Sequence, residues 1–123
     1  SIDLIRVASR KIAMSHYQSL DWDVRDVGDH VSYDLDCEQG IQRLHVEVKG
    51  TQSNGSNVIL TGNEVRHMRE AFPGSSLAVV SGIDLRGTSI LPEVSGGQLR
   101  EINPWEIKDS DLTVTEYRYR VPD

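Results

Sequence analysis

The sequence predicts an α/β domain in which a single mixed β-sheet is flanked by helices. Three observations predict it. A helical pattern opens the chain, period-two alternation marks a strand at residues 44–49, and a Thr-x-x-Glu signature starts a second helix at Thr61. The order helix, strands, helix, strand is typical of one sheet covered by helices. The 123 residues are expected to form a single domain, 1–123, because this length leaves little room for a second core.

Both helices have identifiable starts. Residues 1–20 carry apolar side chains along one face, and Ser1 followed by Asp3 is a candidate cap for this helix. The second helix begins with the capping box of Thr61 and Glu64 and is expected to stop at Pro73-Gly74.

The strands are predicted from alternation and from apolar runs. Residues 22–27 and 31–35 are expected to be short strands, and the polar stretch 36–42 is expected to end the second one as a loop. Leu44, Val46 and Val48 define one face of the clearest strand. The run 77–80 is short and wholly apolar, which predicts a central strand buried on both faces.

The last part of the chain has weaker signals. Residues 89–91 and 99–102 are possible strands on either side of a turn at Gly96-Gly97. The alternation at 117–120 resembles a stacking and phosphate platform for single strands, but an edge strand is the commoner meaning.

Composition limits the function. Thirteen basic and nineteen acidic residues give a formal charge of −6, which excludes an autonomous, tight nucleic-acid binder. The single cysteine, Cys37, excludes a disulfide framework and a thiolate-rich zinc site, and it is expected to lie in a loop without a role. No apolar run reaches the ~20 residues that span a bilayer. We therefore expect a cytoplasmic protein without membrane contact.

Three ionisable residues stand out by their expected geometry. Glu47 and Lys49 project from the same strand face, and Asp34 ends the preceding extended piece. If the two strands pair antiparallel, Asp34 approaches Glu47 closely enough for one divalent ion to bridge the carboxylates. Mg²⁺ prefers such oxygen ligands, and Mn²⁺ is a possible substitute. Lys49 would then orient the attacking water or stabilise charge on a phosphate.

The structural alternative is a solvated Glu-Lys salt bridge worth under ~1 kcal/mol. The wider pattern of motifs favours chemistry instead. The sequence resembles the NO VEIN C-terminal domain family over the region 22–104, through four runs: Tyr33-Asp34-Leu35, Val46-Glu47-Val48-Lys49-Gly50-Thr51, Leu60-Thr61-Gly62-Asn63-Glu64 and Ala78-Val79-Val80.

The family is similar to the PD-(D/E)xK nuclease-like superfamily. The resemblance therefore implies a restriction-endonuclease-like fold with an α-β-β-β-α-β core. By position, Asp34 would be the motif aspartate, Glu47 the second metal ligand and Lys49 the catalytic lysine. The carbonyl of Val48 would also face the metal.

Two departures from the pattern leave an alternative open. Ser32 stands where the family usually has glycine before Tyr-Asp-Leu. Many such nucleases carry a glutamate on the first helix, whereas this helix has Arg6, Arg10 and Lys11 as its charges, and Asp3 is a poor substitute. A nuclease-like module that binds DNA or protein without cutting is therefore the second hypothesis.

Several other residues are candidates for contact with nucleic acid. Polar side chains after the strand and on the second helix are expected to reach phosphates: Thr51, Gln52, Asn63, Arg66 and Arg69. For Glu64, helix capping is favoured over a metal role. His45 shares the strand face of Glu47 and would touch the phosphate or, more commonly, be a surface imidazole.

The sequence thus predicts a Mg²⁺-dependent DNA nuclease domain within a larger restriction, defence or helicase-associated protein. Its expected partners are DNA and the other domains of that protein. The chain starts at Ser1 without methionine, which favours an excised domain. A homodimer through residues 77–80 or through the C-terminal edge is compatible with either function.

Overall fold

The computed structural model describes the backbone of residues 2–123 and the side chains from residue 4 onwards. The predicted cap by Ser1 and Asp3 lies outside the described residues. Two helices and five strands follow one another along the chain, with a single 3₁₀ turn, η1, near the end. Their bounds are α1 Ile2–Ser19, β1 Asp23–Asp26, β2 Leu35–Gln39, β3 Gln42–Gly50, α2 Gly62–Ala71, β4 Ser75–Gly87, β5 Pro92–Ile102 and η1 Asp109–Asp111.

The strands form one sheet in the order β1-β2-β3-β4-β5. Only β3 and β4 pair in parallel, because α2 carries the chain back across the sheet between them. The other neighbours are antiparallel. The predicted mixed α/β class and the element order α-β-β-β-α-β are confirmed, with β5 added at the edge of β4.

Alternate side chains of the central strands feed two separate cores. On one face, Val46 and Ala78 pack under Tyr17 of α1. On the other face, Leu77 and Val79 pack under α2 and the segment after β5. Since neighbouring residues of β4 enter opposite cores, the two helices cover opposite faces of the sheet. The run 77–80 is buried on both faces, as the sequence predicts.

The second strand begins later than predicted. Residues 31–34 form bends, and the supposedly loop-forming polar stretch supplies β2 itself. The strand persists because its polar side is neutralised: the Oδ2 atom of Asp36 accepts hydrogen bonds from Arg25 at 2.6 Å and Arg43 at 2.8 Å. Its other side is apolar, so Cys37 is buried in the α1 core and the loop prediction for it is wrong.

Three predictions for the last third of the chain are also wrong. Gly96-Gly97 is not a turn but lies within β5, where both residues have positive φ and oppose the middle of β4. The hairpin turn is at residues 88–91 instead, where Leu91 donates to the Thr88 hydroxyl at 2.9 Å. Residues 117–120 have no strand partner and are exposed.

The position of β4 removes one mode of dimerisation. Residues 77–80 lie between β3 and β5, so their backbone groups are already paired and are not free to pair with a strand of a second copy. A homodimer by another surface stays a prediction. None of the helices in the described part of the chain is long and apolar enough to cross a membrane.

Candidate active site

The candidate site lies on the α2 side of the sheet, where β2 begins and β3 ends. Leu35 pairs with Val46, and the Asp34 amide donates to the Val46 carbonyl at 3.0 Å. This antiparallel register is the one the sequence suggested. It sets Asp34 beside Glu47 just outside the ladder, and both line a pocket of about 480 Å³ with Lys49.

Asp34 is held by the backbone of the neighbouring strand. Its Oδ2 atom accepts a hydrogen bond from the Val48 amide at 2.8 Å. In an extended strand the amide and the carbonyl of one residue point to the same side. The Val48 carbonyl therefore points to the side of Asp34, and its role as a metal ligand stays a prediction.

Glu47 is the most unusual group in the pocket. Its side chain is 1% exposed, and its Oε2 atom has no hydrogen-bond partner among the described residues. Burial raises the pKa of Glu47 well above its usual range, and a hydrogen bond to Asp34 and the charges of Asp34 and Glu64 raise it further. Lys49 opposes this shift only weakly. Burial beside these charges therefore favours the protonated form of Glu47.

Lys49 is oriented by the second helix. Its Nζ atom donates to the carboxylate of Glu64, at 3.1 Å to Oε1 and 3.3 Å to Oε2. The same Oε1 accepts from the Thr61 amide at 2.8 Å, and the Thr61 hydroxyl accepts from the Glu64 amide at 3.1 Å. The predicted capping box is confirmed, and the carboxylate that closes it also binds the lysine. No local pattern indicated this second contact, because it joins two residues that lie 15 positions apart, on β3 and α2.

The part of the chain that builds this pocket also identifies the protein family. Residues 6–90 match the family described as Protein NO VEIN, C-terminal. The chain belongs to the NO VEIN C-terminal family. The matched region covers more than half of the chain and contains the whole pocket wall from Asp34 to Glu64. Among curated proteins and solved structures, none matches the chain. The relation to the PD-(D/E)xK superfamily stays a prediction.

The residues proposed for nucleic-acid contact are only partly brought together in this NO VEIN domain. Asn63 lines the pocket and accepts a hydrogen bond from Arg66 at 2.7 Å. Arg66 itself, with Arg69, borders a separate depression on α2. Arg69 is tied to Asp109 at 2.6 Å.

The loop after β3 is turned away from the pocket. The Thr51 amide donates to the Val80 carbonyl at 2.9 Å, and the Thr51 hydroxyl is bonded to that of Ser53 at 2.8 Å. Neither Thr51 nor Gln52 lines the pocket wall. Their role as phosphate contacts stays a prediction.

His45 is half-buried and is not the surface imidazole that the sequence favoured, while its contact with a phosphate stays a prediction. Its ring stacks on Tyr33 with 4.1 Å between centroids, and its Nδ1 is 2.8 Å from Nε2 of His67. Burial lowers the pKa of His45, and the neighbouring His67 lowers it further. The histidine pair therefore packs behind Tyr33, beside the pocket and not in it.

The pocket carries oxygen donors of the kind that Mg²⁺ prefers, but only a few of them. In the part of the chain from Ile2 onwards, no group of three or more His, Cys, Asp or Glu side chains is arranged to hold a metal ion. Mg²⁺ commonly uses one or two carboxylates and completes its shell with waters and substrate phosphate. Asp34, Glu47 and the Val48 carbonyl offer oxygen donors only, and the unpartnered Oε2 of Glu47 is the observation that fits a cation.

Proposed function

We propose that this NO VEIN C-terminal domain hydrolyses phosphodiester bonds of DNA with Mg²⁺, or Mn²⁺ as a substitute, inside a larger restriction, defence or helicase-associated protein. One observation carries the proposal: a fully buried carboxyl with an unpartnered oxygen adjoins a second carboxylate and a lysine in one open pocket. Such a carboxyl is costly for stability. A site that binds a cation with DNA would explain its presence.

Asp34, Glu47 and the Val48 carbonyl would hold the ion. When bound, Mg²⁺ supplies Lewis-acid activation of water and neutralises charge on the phosphate. The chain itself contributes orientation. The hydrogen bond from the Val48 amide fixes the Asp34 carboxylate, and burial leaves Glu47 little freedom to rotate away.

Lys49 supplies the second element of the chemistry. An ammonium group has three donors, and Glu64 engages the group from one side only. At least one donor is left for a non-bridging phosphate oxygen or for the attacking water. Because Lys49 is 24% exposed at the pocket wall, this donor is accessible to a substrate.

The second candidate is a nuclease-like module that binds DNA without cutting it. It is favoured by the pocket's composition: α1 contributes Arg6 to the wall, where the related nucleases carry a glutamate. In this version Asp34 and Glu47 would be remnants of a metal site. The two candidates differ in one measurable property, which is metal-dependent cleavage.

The test is cleavage of plasmid and labelled oligonucleotide DNA with Mg²⁺ and with Mn²⁺. We expect Asp34→Ala and Lys49→Met to lower the rate by about a hundredfold or more, since each removes a group that acts on the reacting atoms. Lys11→Met and Asp29→Ala are the matched controls, because both residues lie outside the pocket, and they should cut normally.

Two outcomes would contradict the proposal, one for the residues and one for the activity. Undiminished cleavage in both pocket variants would reject the assignment of residues, and absence of cleavage with either metal would favour the silent module. A crystal soaked in Mn²⁺ gives a readout that does not depend on turnover. Anomalous density between Asp34 and Glu47 is expected, and its absence would contradict the metal site.

A further inference from the structure

Helix α1 approaches the end of β3 unusually closely, and Gly50 makes this approach possible. A Cβ atom on Gly50 would lie 1.7 Å from Oγ of Ser9 and 3.2 Å from Cγ2 of Ile5. No other residue type fits there without moving the helix. The contact therefore fixes the first turns of α1 against the end of β3, on the face opposite to the Lys49 side chain.

This contact brings Arg6 to the pocket. Arg6 follows Ile5 on α1, is exposed, and lines the same pocket wall as Asp34, Glu47 and Lys49. The helix thus adds a second basic residue, besides Lys49, to a wall that also carries Asp34, Glu47 and Glu64. From the sequence, Arg6 was expected only to be one of the charges of the helix, because no local pattern indicated that it would line this pocket.

Arg6 differs from the other arginine on its helix. Arg10, one turn further on, is only 14% exposed and is bound to Asp26 at 3.2 Å, so its charge is used inside the fold. No carboxylate among residues 4–123 lies within ion-pair distance of Arg6. Of the two, Arg6 is the one that lines the pocket.

The charges already present in the pocket leave a need for one more cation, and Arg6 can supply it. Lys49 is compensated by Glu64 at 3.1 Å, and the negative charges that remain on the acidic side of the pocket repel an incoming phosphodiester. A DNA strand needs a cation near the pocket before its backbone can approach these carboxylates. A guanidinium suits that task because its planar fork can bind a phosphate through two parallel hydrogen bonds.

We propose that Arg6 binds a phosphate of the DNA backbone at the rim of the pocket, next to the phosphate that Lys49 contacts. This inference rests on the proposed function, in that it requires the pocket to receive DNA. It does not require cleavage, so it holds equally for a module that binds without cutting. Arg6 is thereby a positioning residue that selects the strand's path and takes no part in the reaction itself.

The experiment measures binding in EDTA, where no cleavage occurs. A fluorescent duplex DNA is titrated with the wild-type chain and with Arg6→Ala over a series of salt concentrations. Loss of one phosphate contact should weaken binding about fivefold at 0.15 M salt, uniformly across sequences, and reduce the salt slope by about 1. Arg6→Lys should restore part of the affinity, because it keeps the charge but not the fork.

Lys11→Ala is the matched control, since Lys11 is an exposed cation of the same helix outside the pocket wall. It should change neither the affinity nor the slope. Single-stranded DNA and duplex RNA of the same sequence serve as further probes. The nucleic acid whose binding weakens most in Arg6→Ala is the one whose backbone Arg6 contacts best. Thermal unfolding should be unaffected by Arg6→Ala, because the side chain is exposed.

The results separate this inference from the proposed nuclease. Binding that depends on Arg6 without any cleavage would reject the nuclease and support the phosphate contact. Cleavage with the same affinity, KM and salt slope in wild type and Arg6→Ala would support the nuclease and overturn the contact. An effect of Lys11→Ala equal to that of Arg6→Ala, or no binding of any probe, would also overturn it.

Discussion

Two buried carboxyl groups on the same face of the sheet have opposite surroundings. Asp36 on β2 is 3% exposed, and two arginines on the adjacent strands reach its Oδ2 at 2.6 and 2.8 Å, although its Oδ1 has no hydrogen-bond partner among the described residues. Glu47 on β3 is 1% exposed, has an acidic neighbour in Asp34, and leaves its Oε2 without a partner. A buried charge with its cation inside the chain is part of the fold. A buried acid without one either keeps its proton or binds a cation from outside the chain.

The largest expected effect is therefore on stabilisation by Mg²⁺. We expect saturating Mg²⁺ to raise the free energy of unfolding of the wild type by about 2.7 kcal/mol when its concentration is 100 times Kd. Glu47→Gln should abolish this gain, and Asp36→Asn should keep it. Thermal unfolding with and without Mg²⁺ measures the gain.

The same titration has a pH dependence. Because the pKa of Glu47 is raised, Mg²⁺ must displace a proton, so its affinity should increase with pH and calorimetry should detect proton uptake by the buffer. If Mg²⁺ stabilised Glu47→Gln as much as the wild type, Glu47 would not be a ligand of the ion, and its surroundings would not differ from those of Asp36 in this respect.

The second effect is on stability without metal. The raised pKa means that folded Glu47 keeps its proton while the unfolded chain releases it above about pH 4.3. Wild-type stability should therefore fall as the pH rises from that value towards the folded pKa. Glu47→Gln should remove this slope and be more stable by roughly 1–2 kcal/mol at pH 8, with little difference at pH 4.

Asp36→Asn is the matched control for that measurement and should have the opposite sign. It weakens two charge-assisted hydrogen bonds, so it should be less stable by roughly 1–2 kcal/mol at pH 8. Denaturant unfolding in EDTA at several pH values gives both numbers. Destabilisation of both variants at pH 8 would show that Glu47 is satisfied within the fold.

The smallest effect concerns Glu64, which both caps the start of α2 and binds Lys49 in the pocket. Thr61→Ala should cost about 1 kcal/mol, because the Glu64 amide at the start of α2 loses its acceptor. Glu64→Gln should cost less, because glutamine also closes a capping box, but it removes the ion pair with Lys49. Cleavage should accordingly fall in Glu64→Gln and be nearly normal in Thr61→Ala. The reverse ranking would assign Glu64 to the cap alone.

Much of this arrangement was predictable from local patterns. The period of two in β3 fixed which side chains share a face with Glu47, and the capping box located the start of α2 to the residue. The pairing of Asp34 with the end of β3 also followed, because a short antiparallel connection leaves few registers. The role of these residues stays a prediction that the metal and cleavage experiments test.

The errors arose where distant residues overrode local preference. The stretch around Asp36 has the composition of a loop, and it forms a strand because Arg25 and Arg43 approach from the strands on either side. The two glycines at 96 and 97 have the composition of a turn, yet they continue β5 with positive φ opposite the middle of β4. In both cases the residues that decide the conformation lie on other strands, and not within a few positions along the chain.

The sequence by itself determined the element order, the faces of the strands and the membership of one family, because these depend on side-chain period and on short motifs. Only the tertiary structure decided that Glu47 is buried without a cation, that Lys49 is bound to Glu64, and that Gly50 brings Arg6 to the pocket. Burial and charge compensation depend on which elements pack together. That information lies in contacts between residues far apart along the chain.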